Sequence, residues 1–234
     1  MNPLGFTPCL TLERPNLTAD PSRTLLRAKK LFPELVYDTA ALEDSPYTFP
    51  EVQTLLEGVT VGGHRLTDQK LVLNQAESWK ALIRLVERGE FREDKATFLA
   101  LHRLVAEEEA LEWGAFRTGA VSIAGTTHQP PASTELERLF AEGLDYLTQM
   151  RDPLLRGIHF FLFGALNQFF WDGNKRTSRL MMNGILMSAG IDAISIPARD
   201  KLAFNQAMIR FYDGKNAAEM VAFMLARLPA GLAR

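Results

Sequence analysis

A run of small and charged residues between two apolar segments is the part of the sequence best suited to chemistry. It reads Asp172-Gly173-Asn174-Lys175-Arg176 and is followed by Arg179. Cations in the first turn of a helix oppose the helix dipole, at a cost of about 0.3–1 kcal/mol each. They become favourable when a polyanion lies over the helix start, where free N–H groups point at it. The sequence therefore predicts a phosphate-binding loop; a plain turn between two helices is the alternative.

Two residues of this loop add to the prediction. Gly173 lets the backbone approach a ligand without a side chain in the way. Asp172 could hold Mg²⁺ through one carboxylate while phosphates complete the shell. The loop is not a Walker loop, which needs Gly-x-x-x-x-Gly-Lys-Ser/Thr. It is not an EF-hand either, because Asn183 stands where the twelfth-position Glu should be.

Helical periodicity dominates the rest of the chain and predicts a mainly α fold. The segment from Asp152-Pro153 to Trp171 is apolar almost all round, so we expect it to be the buried central helix. The other predicted helices begin near Ser22 or Ser133, or cover residues 34–42, 51–56, 67–88, 97–108 and 174–190, with one or two more within 200–228.

One stretch has a β-rich composition. Residues 116–123 lie between Gly114 and a turn at 125–127, and Pro130-Pro131 follows. Alternating and β-branched residues bounded by Gly and Pro are typical of hairpins. We therefore predict an exposed hairpin or flap over residues 114–131.

Composition limits the function classes. The chain has 234 residues, 47% of them hydrophobic, and a formal net charge of -2. This charge gives no reason to expect binding to nucleic acid or to an anionic membrane. Cys9 is the only cysteine, which excludes a disulfide within the chain and fits a reducing compartment. Without a signal peptide or a membrane-spanning run, we expect a cytoplasmic protein.

The loop and its surroundings resemble one family. The segment from Gln168 to Arg179 is similar to the Fic signature His-x-Phe-x-Asp/Glu-Gly-Asn-Gly/Lys-Arg-x-x-Arg, with Gln168 at the His position. Residues 114–131 resemble the family's flap, which holds a target segment by β-strand addition. Thr39 to Asp44 resembles the Ser/Thr-x-x-x-Glu-Gly/Asn helix of the self-inhibited class. The resemblance implies a Fic-fold helical bundle with a β-hairpin flap.

The resemblance also implies an activity and site residues. Fic proteins usually transfer AMP from ATP to a Ser, Thr or Tyr hydroxyl of a protein. By this resemblance Phe170 packs the motif into the core, and Glu43 pairs with Arg179 in competition with the γ-phosphate. A solvated surface charge is the alternative for Glu43. The nucleotide and Mg²⁺ would contact Asp172 as the metal ligand, Gly173, Asn174 and Lys175 as the cradle, and Arg176 and Arg179 at the outer phosphates.

Gln168 places the usual activity in question. The family's His takes the proton of the attacking hydroxyl, and Gln has no group that titrates. Of the histidines, His128 at the flap tip is the one placed to approach from outside, and we expect His159 to be structural. Lys175, where many members have Gly, narrows the cradle. An impaired or altered transferase, a regulatory pseudoenzyme and a peptide-binding module using the flap therefore all stay open.

The resemblance runs from Thr39 to Phe223 and divides the chain into regions. We expect an N-terminal arm and helix at 1–33 and an inhibitory-helix region at 34–58. The Fic-like core then covers 59–228, with the motif loop at 168–179, and a tail follows at 229–234. The target protein and a homo-oligomeric state are left undetermined.

Overall fold

The computed structural model describes residues 2–11 and 18–229, so most of the predicted tail lies outside the described residues. Within these ranges the chain forms ten α-helices, and short 3-10 turns precede α6 and α9. In chain order the helices are α1 (Pro21–Lys30), α2 (Phe32–Leu42), α3 (Phe49–Leu56), α4 (Leu66–Glu87), α5 (Lys95–Val105), α6 (Leu136–Thr148), α7 (Pro153–Asn167), α8 (Asn174–Ser188), α9 (Lys201–Gly214) and α10 (Ala218–Leu225). The prediction of a mainly α protein is confirmed.

Helices α7 and α8 form the centre of the molecule and pack along each other. Almost every residue of both helices is buried. Helices α4 and α5 cover α8, α6 and α10 cover α7, and α2 packs on α4. The motif loop between α7 and α8 is therefore held at the end of the most buried helix pair. None of the described helices is long and apolar enough to cross a membrane.

The start of α7 follows the sequence prediction, but its end does not. The Asp152 side chain accepts a hydrogen bond from the N–H of Leu154 at 3.0 Å, and Pro153 opens the helix. The helix ends at Asn167 and not at Trp171, because Gln168 adopts a left-handed conformation with φ 49°. Phe169 and Phe170 continue the apolar pattern in the loop, where both are fully buried. Their burial, and not a helix face, explains the pattern.

The predicted β-hairpin at 114–131 is wrong. The segment has no strand pairing. Its one backbone–backbone hydrogen bond to another part of the described chain is at its base, where the N–H of Arg117 donates to the carbonyl of Phe169 at 2.9 Å. At the far end, the N–H of Thr127 donates to Asp213 at 3.1 Å. The segment is thus an irregular flap, attached at its ends to the motif loop and to α9.

The Arg117 side chain supplies hydrogen bonds to the flap and the motif loop in place of the strand pairing that is absent. Its guanidinium is almost fully buried and donates to three carbonyls, of Gln168 at 2.6 Å, Gly119 at 2.5 Å and Pro131 at 2.6 Å. One five-donor fork can satisfy carbonyls that point in different directions, which two strands would otherwise pair. Arg117 therefore connects both ends of the flap to the motif loop.

The described part of the N-terminal arm is non-helical before α1 and packs against α7 and α9. Leu4 and Phe6 are buried, and Thr7 forms an isolated parallel bridge with Asn216. The buried His159 holds the arm: its Nε2 accepts from the N–H of Cys9 at 3.0 Å, while Nδ1 donates to the carbonyl of Leu155 at 2.7 Å. These contacts make His159 a structural residue, as expected from the sequence.

This arrangement predicts a pH dependence of stability. Burial lowers the pKa of His159, and the Cys9 N–H requires the neutral ring. In the unfolded chain the imidazole takes up a proton near pH 6.5, whereas the folded protein resists it. The contribution of His159 to stability is therefore present above about pH 6.5 and is lost as the pH falls below that value. The free energy of unfolding, measured by chemical denaturation between pH 8 and 5, should depend less on pH in His159→Leu than in the wild type. Parallel curves would contradict the role.

Candidate active site

The motif loop owes its shape to two left-handed residues. Gln168 ends α7 with φ 49°, and Gly173 precedes α8 with φ 71°. A Cβ at position 173 would lie 3.2 Å from Val105 Cγ1, so the site leaves little room for a side chain. The first N–H groups of a helix have no carbonyl partner inside it, and Gly173 to Arg176 at the start of α8 line an open pocket. The phosphate-binding loop predicted from the sequence would lie here.

Gln168 is locked in place by its neighbours. Its Nε2 donates to the carbonyl of Ala165 at 2.6 Å, and its Oε1 accepts from Asn174 Nδ2 at 3.1 Å. Asn174 also closes the loop by accepting from the N–H of Phe170 at 2.9 Å and donating to its carbonyl at 2.8 Å. Phe170 is buried beneath them, as the resemblance implied. The side chain of Gln168 thus has a fixed orientation but no titratable group.

Asp172 meets the requirements of a single-carboxylate Mg²⁺ ligand. Its side chain is 62% exposed; Oδ1 accepts from the N–H of Gly173 at 2.6 Å, and Oδ2 lies 3.3 Å from Arg176. The described residues contain no cluster of three or more His, Cys, Asp or Glu that could hold a metal. The donor set therefore fits Mg²⁺ that is completed by phosphate and water oxygens, and it does not fit a metal held by protein alone.

Glu43 lies against the cations of the motif. Its Oε1 is 3.7 Å from the Arg179 guanidinium, and its side chain is 21% exposed. Burial opposes its ionisation, but Lys175, Arg176, Arg179 and Lys201 outweigh that effect and hold the pKa of Glu43 below its usual value. Glu43 is therefore an ionised carboxylate inside the cationic site. It is not a solvated charge on the surface of α2.

Contacts around the end of α2, just before Glu43, explain the residue types found there. Thr39 Oγ1 donates to the carbonyl of Leu35 and accepts from Trp79 Nε1 at 3.3 Å, which fixes α2 on α4. Asp44 follows the helix with φ 62°, a conformation that Gly and Asn favour and Asp tolerates. Its carboxylate accepts from Lys201 at 2.5 Å. The departure from Gly or Asn at position 44 is thus compatible with the same helix end.

One open pocket is lined by almost all of the site residues that were predicted from the sequence. It is lined by Glu43, Gln168, Asp172, Gly173, Asn174, Lys175 and Arg176. Arg179 lies deeper, in an inner cavity that it shares with Arg176, and its guanidinium stacks 5.6 Å over the ring of Phe204. Among the described residues, neither terminal nitrogen of Arg179 has a partner at hydrogen-bond distance, and Glu43 Oε1 lies 3.7 Å from Nη2. A buried cation with free donors behind Glu43 is suited to an anion that displaces the carboxylate.

His102 belongs to the site, although sequence reasoning gave it no role. The ring lies 3.6 Å from the Phe170 ring in a parallel stack. Its Nδ1 accepts from the N–H of Gly114 at 3.0 Å, so Nε2 carries the proton and donates to the carbonyl of Asp172 at 3.0 Å. Burial lowers the pKa of His102 to about 4, which keeps the ring neutral. His102 joins the flap base to the motif loop, a contact between residues distant in sequence that no local pattern indicates.

His128 does not act as a substitute base in this conformation. Its Nε2 lies 3.0 Å from the carbonyl of Leu166, and its ring is parallel to that of Tyr212. These contacts direct it to α7 and α9, and it is not among the residues that line the pocket. The position of the missing general base therefore has no histidine from the flap.

Comparison with known proteins gives a consistent result. The Fic/DOC family model matches residues 92–186. The protein adenylyltransferase Fic of Nematostella vectensis is 28% identical over 182 residues, covering 74% of this chain and 42% of that protein. The corresponding protein of Drosophila ananassae is 29% identical over 191 residues, covering 77% of this chain and 37% of that protein. The chain thus spans about two fifths of the length of these relatives.

The fold agrees with these similarities. A Fic domain containing signaling protein from Bacteroides thetaiotaomicron superimposes with a TM-score of 0.74 at 19% identity, covering 90% of this chain and 87% of that one. The matched residues 92–186 include the flap, both central helices up to Leu186 and the whole motif loop. Residues 92–186 of this chain thus match the Fic/DOC family, and the chain is similar in sequence to Fic protein adenylyltransferases.

Proposed function

We propose that this chain binds ATP with Mg²⁺ in the pocket of the motif loop and that its capacity to transfer AMP to a protein hydroxyl is restrained. The observation that supports this proposal is that Glu43, Asp172 and the start of α8 line one pocket. The α8 start and Lys175 would hold the phosphates, and Arg179 would take the outermost one. Mg²⁺, held by Asp172, would neutralise phosphate charge.

Residue 168 accounts for the first restraint. In AMP transfer a hydroxyl oxygen bonds to the α-phosphorus, the bond to the bridging oxygen breaks, and pyrophosphate leaves. The hydroxyl proton must go to a base, which typically contributes about 10²–10⁴-fold to the rate. Gln168 can accept one hydrogen bond from a hydroxyl, but it cannot take the proton. The chain is then a slow transferase, or a regulatory pseudoenzyme that binds ATP without turnover.

The flap supplies a reason to propose a protein as the second substrate. The carbonyls of Thr118 and Gly119 already accept from Ser133 and Arg117. The backbone groups of residues 120–123 have no hydrogen-bond partner among the described residues, so they are available to pair with an extended peptide. The base of this segment is bonded to the carbonyl of Phe169, next to the pocket. A peptide added along the flap would present a hydroxyl to the motif loop.

Glu43 accounts for the second restraint and provides the test of nucleotide binding. Glu43→Gly should tighten ATP binding roughly tenfold, because Arg179 is freed for a charge-assisted bond to the γ-phosphate. ADP lacks that phosphate and should respond much less. Isothermal titration calorimetry with both nucleotides and Mg²⁺ measures the difference.

Asp44→Asn is the matched control, since it removes a carboxylate at the same helix end that bonds Lys201 and does not line the pocket. It should leave both affinities near the wild-type values. Equal gains for ATP and ADP in Glu43→Gly would argue against competition with the γ-phosphate. Absence of ATP binding by both the wild type and Glu43→Gly would remove the proposed function.

A further inference from the structure

A buried chain of polar side chains runs from α4 to the motif loop. Asn74 on α4 donates through Nδ2 to Glu109 Oε1 at 2.7 Å and to the carbonyl of Glu107 at 2.8 Å. The other oxygen of Glu109 accepts from Arg176 at 2.7 Å. Arg176 in turn donates to Asp172 at 3.3 Å. This series of hydrogen bonds thus ends on Asp172, the carboxylate proposed to hold Mg²⁺.

The two glutamates near the motif arginines stand on different sides of them. Glu43 lines the pocket, where a nucleotide would bind. Glu109 does not line it, and it reaches Arg176 from the loop after α5. The Arg176 side chain is only 3% exposed and that of Glu109 14%. Glu109 therefore contacts Arg176 from outside the pocket and does not occupy the space of a phosphate.

Two opposite effects on an anion follow from this contact. The charge of Glu109 reduces the attraction that Arg176 exerts on phosphate, which would make Glu109 a second inhibitory carboxylate. The contact also fixes a long side chain that would otherwise lose rotamer freedom on binding. Burial favours the second effect, because Arg176 is only 3% exposed and Glu109 supplies its shortest contact, at 2.7 Å. Loss of Glu109 would leave this buried cation with the longer contacts to Asp172 at 3.3 Å and to the carbonyl of Val105 at 3.5 Å, at a desolvation penalty. Without Glu109, Arg176 would leave the position from which it contacts both Asp172 and the pocket.

We propose that Glu109, itself held by Asn74, is a positioning residue for nucleotide binding: it orients Arg176 and, through Arg176, Asp172. The inference rests on the proposed function and assigns to Glu109 an effect opposite to that of Glu43. Removing Glu43 frees a cation for phosphate. Removing Glu109 would leave another cation, Arg176, without a fixed orientation.

The test compares binding of MgATP, MgADP and AMP by the wild type and Glu109→Gln, using calorimetry. ATP and ADP should bind roughly tenfold more weakly to the variant. AMP, which lacks the outer phosphates, should keep its affinity. A general structural defect would weaken all three, so the pattern distinguishes positioning from misfolding. Circular dichroism and thermal unfolding check that the variant is folded.

Two further variants sharpen the comparison. Glu107→Gln removes a carboxylate from the same loop, where it pairs with Lys70, and should leave all affinities unchanged. Asn74→Ala removes the amide that bonds Glu109 and the carbonyl of Glu107, and it should weaken ATP binding in the same direction but by less. This variant keeps the Arg176 charge paired, so it replaces Glu109→Gln if that protein does not fold.

The outcomes separate this inference from the function beneath it. Unchanged or tighter ATP binding by Glu109→Gln, with wild-type binding measurable, overturns the positioning role and leaves the proposed function intact. Tighter binding in particular would make Glu109 a second inhibitory carboxylate. An equal loss for AMP would also overturn the role. If neither the wild type nor Glu43→Gly binds ATP, the proposed function is contradicted, and this inference is contradicted with it.

Discussion

The double variant Gln168→His, Glu43→Gly is expected to transfer AMP to itself or to a target protein at least about 10²-fold faster than the wild type, because it restores a base. An imidazole with a pKa near 6.5 is well matched to proton abstraction at neutral pH. The side chain at 168 already lies in the pocket, and His has a similar reach to Gln. The second substitution frees Arg179 for the γ-phosphate.

Labelled ATP gives the measurement. With α-labelled ATP the label should reach protein in the double variant, and with γ-labelled ATP it should not. Gln168→Asn combined with Glu43→Gly is the matched control, since it changes the same positions without adding a base. Should the double variant fold and bind ATP yet transfer nothing, the phosphates must bind in a different pose, for which Lys175 is the candidate cause. A wild type as fast as the double variant would contradict the role of residue 168.

Among the variants considered, replacement of Arg117 is expected to lower the free energy of unfolding the most. Arg117→Met keeps much of the side-chain volume but leaves the carbonyls of Gln168, Gly119 and Pro131 without their charged donor. Hydrogen bonds to charged groups contribute about 1.5–3 kcal/mol each, and the three are not additive, so we expect a loss of about 4 kcal/mol. Urea unfolding followed by circular dichroism measures it.

Limited proteolysis adds a local measurement to the same experiment. Because Arg117 connects the flap to the motif loop, cleavage within 118–130 should become faster in Arg117→Met. Arg117→Lys should behave similarly, since a single ammonium cannot reach three carbonyls in different directions. Arg138→Met is the control on an exposed arginine of α6 and should change little. A variant at Arg117 with wild-type stability would show that the flap is held by other contacts.

The parts of the structure that could be predicted from sequence are those set by neighbours in the chain. The Asp152 cap, the burial of α7 and the charged start of α8 depend on residues a few positions apart. The motif loop was predicted for the same reason, since Asp172, Gly173 and Asn174 form its turn themselves. The pairing of Glu43 with Arg179 came from family resemblance and not from a local pattern.

The missed features join residues distant in sequence. Arg117 bonds Gln168 across 51 positions, and Glu109 bonds Arg176 across 67. The β-rich composition of 116–123 predicted a hairpin, and the structure has no strand there. Whether such a segment forms a ladder depends on a partner strand, and here a buried guanidinium satisfies the carbonyls instead. No periodicity in the sequence carries that information.

The attachment of the flap to the carbonyls of Gln168 and Phe169 has a consequence for competition between proteins. Main-chain atoms of the motif loop, and not the side chain at 168, accept the hydrogen bonds from Arg117 that connect the flap to the loop. If the flap holds a peptide as proposed, a substitution at 168 would change the chemistry while leaving peptide binding unchanged. A form that reacts slowly would still occupy the same segment of its partner, and at sufficient concentration it would shield that hydroxyl from a faster relative.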